Sequence, residues 1–184
     1  MKANATPSKN ILDLLLSYSP NTGVLKWKNR DISYFKNIRA QRIWNTRYAN
    51  KEAFSYTRKN GNKTGCIFGH KFLAHRIIWK IVTGEEAEVV DHINGTASDN
   101  RITNLRSVSQ EVNRQNAAKM SNNTSGCVGV SFASNMKKWR ARINKGKKYY
   151  QLGFFRTKEE AIEARKNAEK SLGFSDTHGR NRTY

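Results

Sequence analysis

Val89-Val90-Asp91-His92-Ile93-Asn94-Gly95, then Asn100-Arg101-Ile102-Thr103-Asn104-Leu105-Arg106, and further on Asn113, form the stretch whose reading decides the fold. Val89-Val90 enter as a strand, Asn94-Gly95 opens a long polar loop, Ile102 to Val108 returns as a second strand, and Ser109 can cap a helix. That order predicts a ββα unit. Adjacent side chains of a strand point to opposite faces, so Asp91 and His92 can serve one site only where the strand ends. Asn94-Gly95 ends it there.

The residue types suit phosphodiester hydrolysis, which needs a divalent cation to neutralise the phosphate, a base to activate water, and a group that orients the base. Asp91 offers a hard oxygen ligand, and Asn113, one turn into the helix that Ser109 begins, offers a carbonyl oxygen. The expected cofactor is one Mg²⁺ or Mn²⁺ ion. With a single carboxylate its affinity should be modest, and DNA should strengthen it by adding anionic oxygens. His92, with an ordinary imidazole pKa near ~6.5, can take a proton from water at neutral pH. Asn104 can hydrogen-bond either the imidazole or the loop to hold the base in place.

Upstream, Ile77, Ile78, Ile81 and Val82 predict a helix over about His75 to Val82, stopped by Thr83-Gly84. Arg76 at its start is a candidate phosphate contact, while His75 stays outside the catalytic set because a histidine at a helix start more often packs or caps. Cys66-Ile67-Phe68 and Phe72-Leu73-Ala74 flank Gly69-His70 and predict a hairpin. Residues 29–60 are rich in Arg, Lys, Asn and Tyr with little periodicity, the pattern of an extended arm or long loop over a polyanion. Before them, Ile11 to Leu16 predicts a short helix, Pro20-Asn21-Thr22-Gly23 a turn, and Val24 to Trp27 a strand.

Downstream, Ser121 to Gly126 is polar and turn-rich and reads as a linker. Three strands are expected at Val128–Ala133, Lys138–Asn144 and Lys148–Phe154, then a helix opened by the capping-box pattern Thr157-Lys158-Glu159-Glu160, with Ala161, Ala164, Ala168 and Leu172 on one stripe. In the middle strand, period two puts Trp139, Ala141 and Ile143 on a packing face and Arg140, Arg142 and Asn144 on the other. Ser131 and Gln151 should join that basic face. Arg reads guanine and Asn reads adenine in the major groove, so the face has the chemistry for base contacts. Lys137, Lys138, Lys145, Lys147 and Lys148 near the turns suit phosphate contacts.

The whole composition agrees with a nucleic-acid partner. Lys and Arg number 34 against 14 Asp and Glu in 184 residues, a formal charge of +20, and such a field attracts polyanions. No apolar run approaches the ~18 residues that a spanning helix needs, and Ile11 to Leu16 is too short for a secretory core. The expectation is an intracellular protein with no membrane partner, neither secreted nor oligomeric. Cys66 and Cys127 stand far apart without a Cys-x-x-Cys pair, so no structural zinc and no disulfide framework is expected.

Ala74-His75-Arg76, Val90 to Gly95, Asn100 to Arg106 and Asn113 resemble the HNH endonucleases of phages and mobile introns, over roughly residues 74–119. The resemblance implies a ββα-metal (His-Me finger) fold, His92 as general base, Asn104 as the central structural Asn, and Asp91 with Asn113 as metal ligands. The last position is often His in that family, and Asn113 is the variant. Gly126 to Val130, Trp139 to Ile143, Leu152 to Phe155 and Thr157 to Ala164 resemble the AP2/ERF DNA-binding domain, over about residues 125–174. That family presents a three-stranded antiparallel sheet, backed by one helix, to the major groove. Arg142 and Gln151 fall where it usually has Glu and Trp, so fold and groove carry over but the base preference does not.

The expected class is therefore α+β, a ββα-metal nuclease module followed by a three-stranded antiparallel sheet packed on one helix. Residues 1–60 are read as an N-terminal helix, strand and DNA-contacting basic arm, 61–120 as the HNH nuclease domain, 121–126 as linker, 127–174 as the AP2/ERF-like domain and 175–184 as a basic tail. The functional expectation is a monomeric homing endonuclease that nicks or cuts double-stranded DNA, working in a bacterial cytoplasm if phage-encoded. The competing readings are a non-catalytic DNA-binding regulator with a degenerate HNH module, and an RNA-binding protein suggested by charge with Trp139, Tyr149 and Tyr150.

Overall fold

Ser8 caps the first helix, α1 (Lys9–Leu15), its hydroxyl accepting the Ile11 N–H at 3.5 Å. The chain passes straight into β1 (Leu16–Ser19), turns, and returns as β2 (Val24–Trp27), antiparallel to it. Gly23 closes that turn at φ +70°, and a Cβ on it would fall 2.6 Å from backbone atoms of Asn100 and Arg101. No other residue fits there. This computed structural model describes residues 5–115, 119, 122–146, 148–174 and 178–179.

The segment expected to be an extended arm contains an eleven-residue helix instead, α2 (Ile38–Tyr48). The physical reason is capping and anchoring rather than periodicity. Asn37 accepts the Ala40 N–H at 2.9 Å, and Trp44 packs edge-on against Trp27 with ring centroids 5.8 Å apart. The short strand β3 (Glu52–Ala53) then joins the edge of β2.

Next come β4 (Tyr56–Thr57), β5 (Lys63–Ile67) and β6 (His70–Leu73), an antiparallel sheet in sequence order. The hairpin between β5 and β6 turns on Phe68 and Gly69, both in the left-handed region at φ +50° and +79°, as a type I′ turn requires. The helix α3 (Ala74–Thr83) buries Ala74, His75, Ile77 and Ile78 and ends on Gly84 in the left-handed conformation. β7 (Val89–His92) and β8 (Leu105–Val108) form the antiparallel hairpin of the deciding stretch. The returning strand starts later than expected, because Ile102–Asn104 is a single 3-10 turn.

Contacts divide the chain into two compact units that meet in sequence between Val108 and Ser109. The first has one continuous core running from Leu12, Leu15, Leu16 and Leu25 through Ile67, Ile77 and Ile78 to Val90 and Leu105. The second opens with α4 (Gln110–Gln115), whose N–H at Val112 donates to the Ser109 hydroxyl at 3.3 Å. The division thus groups α4 with the C-terminal sheet, about a dozen residues before the polar segment read as a linker.

In the second unit β9 (Val130–Ala133), β10 (Lys138–Lys145) and β11 (Lys148–Phe155) make an antiparallel sheet in the order β11-β10-β9. α5 (Lys158–Ser171) carries the capping box in full: Thr157 accepts the Glu160 N–H, and the Glu160 carboxylate accepts the Thr157 N–H. Ala161 is fully buried with Val130 and Ala141, while Trp139, Leu152, Phe155 and Ile162 pack around them. The small side chain of Ala161 lets the helix approach the sheet closely. Lys147 and, apart from His178 and Gly179, the tail from residue 175 lie outside the described residues.

Candidate functional site

The register of β7 on β8 sets the first pair of groups. Asp91 stands opposite Arg106, and its Oδ2 accepts from Arg106 Nη2 at 2.8 Å and Nε at 3.1 Å. His92, opposite Leu105, is buried at the strand end. Its Nε2 lies 3.0 Å from Oδ1 of Asn100. In that orientation the imidazole donates Nε2–H to the carboxamide oxygen, which leaves the lone pair of a neutral ring on Nδ1. The tautomer follows from the assigned carboxamide orientation.

Asn104 acts on the loop rather than on the imidazole. Its Oδ1 accepts the Asn94 N–H at 2.9 Å, its Nδ2 donates to the Asp99 carbonyl at 2.8 Å, and its own carbonyl accepts the Ile93 N–H at 2.8 Å. One side chain thereby pins both ends of the 93–99 loop. Asp99 is gripped by Arg101 through both carboxylate oxygens, at 2.8 and 2.7 Å, and accepts from Asn94 Nδ2. The Arg101 hydrogen bonds hold its carboxyl down at about 2.

Asn100, the partner of His92, was not among the site residues expected from the sequence. It is 1% exposed, and its backbone is clamped from the N-terminal hairpin: Tyr18 Oη donates to the Asn100 carbonyl at 3.0 Å and accepts the Ile102 N–H at 2.8 Å. Burial pushes the Tyr18 phenol above its ordinary pKa. Gly23 of the same hairpin presses on the Asn100 backbone. In the sequence Asn100 is one Asn among several in a polar loop. Its clamp comes from residues about eighty positions away, which no local pattern reports.

His75 sits edge-on to His92, ring centroids 5.0 Å apart at 84°. It is 6% exposed, and its Nδ1 has no hydrogen-bond partner. Burial, reinforced by His92 and Arg76, pulls its pKa down to about 3, so it is a neutral wall of the site at physiological pH. Arg76, expected to face a phosphate, turns onto its own chain. It donates to the carbonyls of Ala87 (3.0 Å) and Glu88 (3.3 Å) and pairs with Glu86 at 3.4 Å. Its donors tie the first turn of α3 to the entrance of β7.

Asp91 is a hard oxygen donor and fits a hard divalent cation in kind, but one carboxylate is too few for a protein cage. Among the described residues no cluster of three or more His, Cys, Asp or Glu could hold a metal. Asn113 lies exposed on α4, its N–H donating to the Ser109 carbonyl at 3.0 Å. α4 is part of the second unit. Cys66 and Cys127 are free thiols, and burial raises the pKa of Cys127.

In the second unit the sheet's charge is one-sided in sequence. Val128 to Phe155 holds Lys137, Lys138, Lys145, Lys147, Lys148, Arg140 and Arg142 without one acidic residue, whereas α5 carries Glu159, Glu160, Glu163 and Glu169. Register brings the expected face together: Ser131 stands opposite Arg140, with Arg140 Nη2 donating to its hydroxyl at 3.4 Å, and Gln151 stands opposite Arg142. Lys138, Arg142, Asn144 and Gln151 are exposed and Arg140 is half-buried. From below, Arg165 of α5 donates to the Arg142 carbonyl and pairs with Glu169 at 2.7 Å.

Residues 72–115 match the family model described as HNH endonuclease. The matched segment runs from β6 to α4 and contains Asp91, His92, Asn100, Asn104 and Asn113. It supports a DNA nuclease of the HNH class. Neither a curated protein nor a solved structure matches the chain. Among the described residues no helix is long and apolar enough to cross a membrane.

Proposed function

We propose that the chain is an HNH homing endonuclease that hydrolyses a phosphodiester bond of double-stranded DNA at the Asp91–His92 strand end and is guided by its C-terminal sheet. The carrying observation is the His92–Asn100 pair: a buried imidazole held through Nε2 at 3.0 Å, next in sequence to Asp91, inside the segment that matches HNH endonucleases. His92 Nδ1 takes a proton from water as the water oxygen adds to phosphorus and the leaving oxygen departs with the electron pair of its bond. Asn100 holds the imidazole in that tautomer. Asn104 keeps the loop between them closed.

Asp91 is the candidate ligand, within the first unit, of one Mg²⁺ or Mn²⁺ ion, whose contribution when bound would be to neutralise charge on the phosphate. The Arg106 fork offsets the Asp91 charge until DNA brings phosphate oxygens of its own. Metal and DNA should therefore bind cooperatively. Ser131, Arg140, Arg142, Asn144 and Gln151 form the reading face in the major groove, in the manner of an AP2/ERF-like sheet, with Lys138 on a phosphate. With one such site per monomer, a nick is the expected product.

The test is incubation of supercoiled plasmid with Mg²⁺ or Mn²⁺. Nicked circles should form, EDTA should abolish them, and product that persists in EDTA would refute the hydrolytic assignment.

A further inference from the structure

The helix α2 is hard to explain as a packing element. None of its residues is buried, yet the chain spends several specific contacts to fix it. The Arg30 guanidinium lies 4.0 Å from the ring centroid of Trp44 and 4.9 Å from that of Trp27, a cation between two indoles. The Arg30 carbonyl accepts from Gln41 Nε2 at 3.0 Å and Asn45 Nδ2 at 3.1 Å, and the Arg30 N–H donates to Asn45 Oδ1 at 2.9 Å. These contacts hold the inner side of α2 and leave its outer side in solvent.

That outer side has an unusual composition. Arg39, Ile43 and Arg47 follow one another at i, i+4 spacing, with Ile38 and Arg42 alongside. Ile38 is 52% exposed and Ile43 is 58% exposed. From Ile32 to Lys51 there are Lys36, Arg39, Arg42, Arg47 and Lys51 and no acidic residue at all. A helix face made for water places Glu against Lys or Arg at i, i+4, whereas cations at i, i+3 such as Arg39 and Arg42 repel. The face is therefore left under repulsion that a polyanion would relieve.

We infer that α2 is a DNA-docking helix, laying Arg39, Arg42 and Arg47 on duplex phosphates with Ile43 against the sugar edge between them. The inference deepens the endonuclease reading by adding a contact surface separate from the C-terminal sheet. Guanidinium groups suit phosphate through paired N–H donors, and contacts of this kind fix register without reading sequence. A rigid anchored helix delivers them with less ordering cost than a loose arm.

The test is fluorescence anisotropy of the full chain on a duplex of arbitrary sequence, from low to moderate salt and without divalent metal. Each phosphate contact contributes roughly 0.9 to the slope of log K against log salt. Substituting Arg39, Arg42 and Arg47 together by Ala should flatten that slope by about 2 to 3 and weaken binding at least ~10-fold at low salt. Ile43→Glu, at an exposed position, should also weaken binding by removing the apolar contact and adding a negative charge, and circular dichroism should show both variants folded. An unchanged slope in a folded triple variant overturns the inference, as does loss of self-association or of RNA affinity in place of duplex affinity. Plasmid nicking separates the two claims. A chain that nicks with its slope unmoved keeps the endonuclease and loses the α2 contact; a chain that never nicks but whose slope flattens does the reverse.

Discussion

The two units hold their polar groups in place with opposite resources. In the first, a continuous apolar core from α1 to β8 supports the hairpin that carries Asp91 and His92. In the second, the buried apolar residues among those described are Val130, Ala141, Ile143 and Ala161, and a buried Arg165 ties helix to sheet through the Arg142 carbonyl and Glu169. A reacting centre tolerates little displacement, so its hydrogen bonds rest on a stiff core. The groove-reading role proposed for the C-terminal sheet needs shape and charge, and a thin core with a polar tie suffices for it.

The largest effect that would break this comparison is on stability. Ile78→Ala should cost about 2–5 kcal/mol, since the residue is 0% exposed in the larger core. Followed by tryptophan fluorescence and circular dichroism, it should lower a transition of the first unit while the second melts as before. One coincident, equally shifted transition would show that the units are not independent.

A pH titration sharpens the comparison next, because the buried neutral histidine belongs to the first unit. The folded pKa of His75, about 3, lies below its unfolded value. The unfolded chain therefore takes up a proton first as pH falls, and stability is complete above pH ~6.5 and declines toward pH 3 by a few kcal/mol. Asp99, held at about 2, adds a loss only below pH ~4. Denaturant melts from pH 7 to 4 should show the decline, and His75→Phe should flatten it. A slope unaffected by His75→Phe would remove the buried neutral imidazole from the account.

Asn100→Ala removes the acceptor from His92 and should slow nicking by roughly 10- to 100-fold, in line with the ~1–3 kcal/mol of a broken buried hydrogen bond. Asn100→Asp keeps an acceptor, should recover most of the rate, and should move the acid limb of the pH–rate profile upward by adding negative charge. A purely structural Asn100 would show lower stability with the profile unmoved. In the second unit Arg142→Ala should relax base preference at one position by about 1–3 kcal/mol. Lys138→Ala should weaken all duplexes alike and modestly. Retained preference in Arg142→Ala would remove that side chain from the reading face.

Much of this was legible wherever local pattern and local structure agree. Period two in Trp139-Arg140-Ala141-Arg142-Ile143 reads directly as the middle strand, and Thr157 with Glu160 reads as a capping box. Asn94-Gly95 reads as the end of a strand, and β7 ends at His92. The illegible parts depend on distance in sequence. The helix α2 is stabilised by Arg30 and Trp27 rather than by an apolar stripe, so its own composition reads as loop. Asn100 looks like any loop Asn until Tyr18 and Gly23 close on it. Arg76 carries the charge of a phosphate ligand, but three acceptors at Glu86, Ala87 and Glu88 fall within its reach.

The central claim is that the His92 strand end performs the cutting, and nicking and binding measured in parallel test it most directly. His92→Ala, folded by circular dichroism, should lose nicking of supercoiled plasmid by about 10²- to 10⁴-fold in Mg²⁺ or Mn²⁺ while its duplex Kd stays that of the wild type. A folded His92→Ala chain that nicks at the wild-type rate would contradict the account.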